Sequence, residues 1–321
     1  MKLRPALTAL VLAGPILACI GAGGAWAAPR SAGIKDPDTK AWWEIAETLS
    51  SDAMEGRDIG SPGHHRAALV VAARFKAAGL KPAGDNGTYF QSFPVHESRV
   101  ETVGTSFRIL RDSGPALPLV FLQQISVRPT DDLPASVDAP LVFRGYCGGG
   151  DVADARGKVV VCFNTKRAGL PSSAVRVQAA QAAGAVGLIQ VDDPYFTIEP
   201  PRWPAAYART VTIAGSPAPS APSLPVMTMS ADAFKAMLAG SGQDAEAILR
   251  QGGAKQPLPA FDIPGRLQAR FHLTKRDFKA ENVLGVLPGR DPKLAAEHLV
   301  LSAHLDGYGF GEPVNGDGLY N

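Results

Sequence analysis

The rhythm of apolar and polar positions changes three times along this chain. In 39-TKAWWEIAETLSS-51, Trp42, Ile45, Ala46 and Leu49 recur at the spacing of one helix face, and Asp38 or Thr39 stands where a cap is needed. The stretch 54-MEGRDIGSPGHHRAALVVAARFKAAGL-80 passes from turn chemistry at Ser61-Pro62-Gly63 into a second helix. Its apolar face is Ala68, Val71, Ala72 and Phe75, and Gly79 suits the left-handed position that ends a helix. From about Val100 to Gln256 proline and glycine become frequent, helices are few, and short strands appear at 139-APLVFRG-145 and 224-LPVMTMS-230. Within this section, 157-GKVVVCF-163, 173-SAVRVQAAQAAG-184 and 185-AVGLIQV-191 read as strand, helix and strand, the pattern of a right-handed parallel crossover. The rhythm then returns to strands around Arg266 to Leu273 and at 281-ENVLGVLPG-289. It ends on 298-HLVLSAH-304, a strand apolar on both faces. A middle section of different character, flanked by sections that need each other, suggests an inserted domain.

Composition narrows the class. With 321 residues, 45% hydrophobic and 19% charged, the chain reads as globular and long enough for two domains. Its formal charge of +2 traces to Lys2 and Arg4. These form the positive start of a signal peptide over residues 1–28, followed by an apolar stretch from Ala6 to Ile20 and a small-x-small site at Ala25-Trp26-Ala27. Pro15 and three nearby glycines shorten the apolar run below spanning length, so no transmembrane span is expected in the mature chain. Export to the periplasm or outside the cell is favoured over lipid attachment at Cys19. The near-neutral remainder gives nucleic acid no electrostatic footprint, so none is expected as a partner.

Candidate chemistry is sparse. Cys147 and Cys162 remain after the signal; they can close a disulfide or be two separate thiols. His64 and His65 sit next to each other on a helix, about 100° apart, so a solvated helix start is preferred to a metal pair. The loop 192–211 is long, aromatic and proline-rich, either a surface lip or an irregular connector, and 213–223 has linker character. His304 and Asp306 stand at a strand end, where working residues of open α/β sheets collect. The imidazole is a candidate zinc ligand, and the carboxylate two residues on is placed to orient it.

The run NVLGVLPGRDPKLAAEHLVLSAHLDGYGFGEPVNGDGLYN resembles the exported di-zinc aminopeptidases of metallopeptidase family twenty-eight. MEGRDIGSPGHHRAALVVAARFKAAGLKPAG resembles that family's amino-terminal helix region and GTYFQSFPV the segment after it. GKVVVCF with VQAAQAAGAVGLIQV is similar to the protease-associated (PA) domain that some members carry as an insertion. The resemblance implies an α/β fold. An incomplete doubly wound, phosphorylase/hydrolase-like zinc-peptidase sheet is expected from residues 31–99 and 265–321, with an inserted α/β PA domain at 100–262. It implies hydrolysis of amino-terminal peptide bonds by a water that two Zn2+ ions activate, with a peptide or protein as substrate. His304 matches the first zinc-ligand histidine and Asp306 the aspartate that orients it. In the family, a metal-bridging aspartate follows a pair like Tyr320-Asn321, and the catalytic glutamate and further ligands come later. The chain is therefore expected to be truncated before most ligands, to hold zinc weakly and to be inactive alone. The alternative is a non-catalytic peptide- or protein-binding module built on the PA domain. The sequence assigns no substrate-binding residue and no oligomeric state.

Overall fold

The structure, a computed structural model, describes residues 33–196, 208–216, 224–294, 296–314 and 316–321. The signal segment at 1–28 and much of the 192–211 and 213–223 stretches lie outside the described residues. The chain divides into two compact units, Met1–Thr48 and Leu49–Asn321. The first unit carries nearly all of helix α1, Pro37–Leu49. Asp36, one residue before the helix, caps it in place of Asp38 or Thr39, its carboxylate accepting from Thr39 N at 2.7 Å. Trp43 Nε1 donates to Glu47 one turn on, at 3.1 Å.

The second unit opens with a 3-10 turn, Asp52–Arg57, kinked at Glu55 and Gly56, and continues into α2, Pro62–Ala77. Ser61 caps α2 by accepting from His64 N, and Pro62 occupies the first turn, where its missing N–H costs nothing. Strands β1 (Lys81–Pro82), β2 (Phe90–Val100), β3 (Ser106–Leu110), β4 (Leu117–Leu119), β5 (Ile125–Val127), β6 (Ser136–Arg144) and β7 (Val159–Asn164) follow. Then come α3 (Ser173–Ala182), β8 (Gly187–Asp192), β9 (Arg209–Ile213), β10 (Val226–Met229), α4 (Ala231–Leu238) and α5 (Ala245–Gly253). The chain closes with β11 (Ala260–Arg270), β12 (Leu273–Val283), β13 (Gly285–Val286), β14 (Gly309–Val314) and β15 (Asp317–Tyr320).

Eight strands form a mixed sheet in the order β4-β3-β11-β6-β7-β8-β10-β5. Its centre is parallel from β6 through β7 and β8 to β10, and the flanks are antiparallel. The continuous apolar runs of β7 and β8 explain their central place, since strands covered on both faces need no polar alternation. One face carries Phe143, Val161, Ile189 and Met227 against Phe234, Met237 and Leu238 of α4. The other carries Val142, Val160, Cys162 and Leu188 against Ala180 of α3. Each large side chain buried this way contributes about 1.5–3 kcal/mol. Cys147, in the turn after β6, is disulfide-bonded to Cys162 of β7, with Cα atoms 5.7 Å apart.

A second sheet has the order β12-β2-β9. β2 and β12, each 11 residues long, pair along their whole length, and they lead into and out of the eight-stranded sheet. The segment 298–304 does not form the strand its pattern suggests. No described strand runs beside it, and Leu299, Val300 and Leu301 are 90%, 79% and 89% exposed. An extended segment becomes a sheet strand only when a neighbouring backbone takes its N–H and C=O groups.

Candidate functional site

His304 and Asp306 lie in the loop before β14, and three contacts from the turn before α2 fix that loop. Arg57 Nε donates to the Leu305 carbonyl at 3.0 Å. Gly307 N donates to the Arg57 carbonyl at 2.8 Å, and Asp58 bridges Gly307 in parallel fashion. Close approach demands glycine at Gly56: its φ is +65°, and a Cβ there would meet the Tyr320 carbonyl at 2.6 Å and Gly309 Cα at 2.8 Å. The turn therefore grips both the His304 loop and the β14–β15 hairpin.

Within the loop, His304 Nδ1 lies 3.1 Å from the Asp306 carbonyl oxygen and 3.5 Å from the Asp306 carboxylate. A carbonyl only accepts, so Nδ1 carries the proton and the neutral ring leaves Nε2 with its lone pair free. Asp306 orients the ring chiefly through its backbone, with the carboxylate standing further off. The His304 side chain is 86% exposed. A catalytic zinc takes about three protein ligands. Among the described residues, no group of three or more His, Cys, Asp or Glu is placed to hold a metal ion. The residues present therefore do not by themselves fit a zinc pair, and no chemical step is assigned to one.

Behind the loop stands an ionic chain that sequence spacing did not reveal. Asp58 pairs with Arg209 of β9, and Arg209 lies 2.7 Å from Glu97 of β2. The Glu97 side chain is 3% exposed and is also met by Arg99 at 3.2 Å and Arg276 at 3.0 Å. Burial pushes its carboxyl up, but the Arg276 hydrogen bond and the charges of Arg209 and Arg99 outweigh this and hold it below the usual range. A cavity of about 310 Å³ opens beside this chain, between Arg99, Arg209, Phe93, Val211 and Asp306.

The two adjacent histidines separate as helix geometry requires, but one of them is not solvated. His64 is 5% exposed, and burial lowers its pKa against the charges of Glu281, Asp306 and Asp58. The turn folds over the start of α2 and covers it: a Cβ on Gly63 would come 2.0 Å from the Met54 carbonyl. His65 faces outward with Nδ1 2.6 Å from Glu281 of β12. A larger cavity, about 990 Å³, lies on the α3 side of the eight-stranded sheet and is bounded by α3, the segment after β7, and β10.

Residues 137–236 match the family model described as the PA domain. They span the parallel centre of the large sheet, α3 and the first part of α4. No curated protein matches the chain in sequence. Among solved structures, the aminopeptidase from Aneurinibacillus sp. strain AM-1 is similar at 15% identity with a TM-score of 0.44, over 78% of this chain and 48% of that one. BSAP, a zinc aminopeptidase from Bacillus subtilis, is similar at 14% identity with a TM-score of 0.38, over 78% of this chain and 47% of that one. The chain thus spans about half the length of the solved structures it matches. Among the described residues no helix is long and apolar enough to cross a membrane.

Proposed function

We propose that the chain belongs to an exported zinc-dependent aminopeptidase in which it supplies the PA domain and the first metal-ligand histidine. The observation that carries the reading is the His304 imidazole: its Nδ1 is tied to Asp306, its Nε2 is free, and its loop is pinned to the turn before α2. The PA match at 137–236, within the section that reads as an insertion, supports it. Peptides or proteins are the substrates this reading calls for. The chain's own share of the site is one oriented ligand, and no donor, water or glutamate is assigned beyond it. By themselves residues 33–321 are expected to bind zinc weakly, because one histidine and one carboxylate hold an ion poorly.

The test is made on the native protein purified from its source cells. Zinc content is measured by atomic absorption and hydrolysis is followed with leucine p-nitroanilide. Two zinc ions per chain, chelator-sensitive turnover and loss of both in His304→Ala support the reading. A native preparation that holds no zinc and leaves the substrate intact refutes it.

A further inference from the structure

The 990 Å³ cavity on the α3 side of the large sheet has a one-sided charge. Its described lining includes Arg128, Lys166, Arg167 and Arg209, and no aspartate or glutamate. Two of these cations are already spent: Arg167 on Asp193 at 2.9 Å, and Arg209 on Asp58 and Glu97. Arg128 and Lys166 are exposed and make no ion pair among the described residues.

Three further features add to the positive field. The first turn of α3, a ten-residue helix, lines the cavity through Ser172 and Ser173 and so presents the positive end of its dipole. Behind the wall lies Arg176, fully buried. Its bonds go to the Tyr146 carbonyl, the Asn164 side-chain oxygen and the Thr165 carbonyl, with no carboxylate among them. Burial lowers its pKa to about 10, which leaves it charged at neutral pH. A buried cation without a counter-charge is costly, and an anion nearby relieves that cost.

The rest of the lining is what a peptide needs rather than what a small inorganic anion needs. Leu170, Val177, Leu224 and Val226 offer apolar contact, and Gln181, Gln190 and Thr228 offer hydrogen bonds. The volume lies at the upper end of ordinary ligand pockets, about 300–1,000 Å³, so several residues fit.

We propose that this cavity is a binding site for acidic peptide segments, with carboxylates meeting Arg128 and Lys166 across the mouth of α3. The site lies in the PA-matching region and partly beside it. It works without metal, so its failure and that of the aminopeptidase reading are separate.

The experiment titrates the full chain, in EDTA, with fluorescein-labelled hexaglutamate and follows anisotropy. Hexalysine and a neutral Gly-Ser hexapeptide are the controls. Saturable binding of hexaglutamate alone is expected. It should weaken with added salt, and about tenfold in the double variant R128Q/K166Q, the size of one lost charge-assisted hydrogen bond. The charge-conserving R128K/K166R should retain it. A free and an amidated carboxyl end on the probe distinguish terminal from side-chain carboxylates, either of which fits the site. The inference is overturned if hexaglutamate binds no tighter than the neutral peptide. It is equally overturned if R128Q/K166Q binds within twofold of the unmodified chain, or if R128K/K166R loses binding to the same extent as R128Q/K166Q.

Discussion

His96 offers the sharpest test of how the two sheets are held together. It lies on β2 directly opposite Asp277 of β12. Its Nδ1 is 2.6 Å from Asp277 and its Nε2 is 2.9 Å from Asp131, in the loop after β5. Ser98 also donates to Asp131, and Lys275 Nζ donates to the Asp131 carbonyl at 2.6 Å. Both ring nitrogens face carboxylate oxygens, so the ring is an imidazolium in this arrangement. The Asp277 hydrogen bond and then the Asp131 one raise its pKa above the ordinary 6.5. A fully buried charge-assisted pair of bonds is worth several kcal/mol. Here the Asp131 and Asp277 side chains are 59% and 77% exposed, so solvent screening reduces the sum to about 1 kcal/mol. Because the folded pKa is raised, this stabilisation is fully present below the unfolded pKa and is lost as pH rises through the folded one. Thermal melts of the unmodified chain and His96→Gln at pH near 5.5 and 8.5 measure it, on a scale of about 2–4 °C per kcal/mol for a domain this large. The variant should melt about 2–4 °C lower at the acid pH and nearly level at the alkaline one. A gap equal at both pH values, or wider at the alkaline one, refutes the argument.

Arg209→Met removes the cation between Asp58 and the buried Glu97, and should cost about 2 kcal/mol, less than a wholly unpaired buried charge because Arg99 and Arg276 remain. An unchanged urea midpoint would count against that chain of charges. Gly56→Ala strains a φ of +65° and drives a Cβ into the Tyr320 carbonyl. It should cost about 1–3 kcal/mol and speed amide exchange in β14 and β15; exchange confined to the turn itself would contradict the contact. Replacing both Cys147 and Cys162 by alanine opens a link between residues 15 apart, a loss of about 3 kcal/mol. The unmodified chain should then melt lower in reductant, whereas the double variant should be indifferent to it.

Legibility followed the range of the forces involved. The β7–α3–β8 unit was readable because a continuous apolar strand, a capped helix and a second strand are all local signals. α4 and α5 escaped although Ser230 and Asp244 cap them. They are only eight and nine residues long, and Gly240 and Gly242 between them read as loop. The 298–304 run was misjudged because its pattern reports apolarity, while strand formation depends on a neighbour. His64 was placed in solvent because nothing local indicates that Met54 folds over the start of α2. In the candidate site, His304 and Asp306 were visible as a spacing. The chain from Asp58 through Arg209 to Glu97 was not, since its members come together only through pairing of β2 with β9.

The full-length pairing of β2 with β12 also bears on the order in which the chain folds. Arg99 and Thr274 face each other across 175 positions of sequence. Closing so long a loop from the unfolded chain costs on the order of 4–5 kcal/mol in entropy. Ser106 and Arg270, however, are already partners within the eight-stranded sheet. Once that sheet forms, only a few residues separate β2 from β12, and the closure cost falls by about 3 kcal/mol. The ribbon then zips outward from Val100 and Leu273 toward Phe90 and Val283. In kinetic terms, the sheet matched by the PA model acts as the nucleus that draws residues 90 and 283 together, so substitutions in its core should slow assembly of the flanking segments that they never touch.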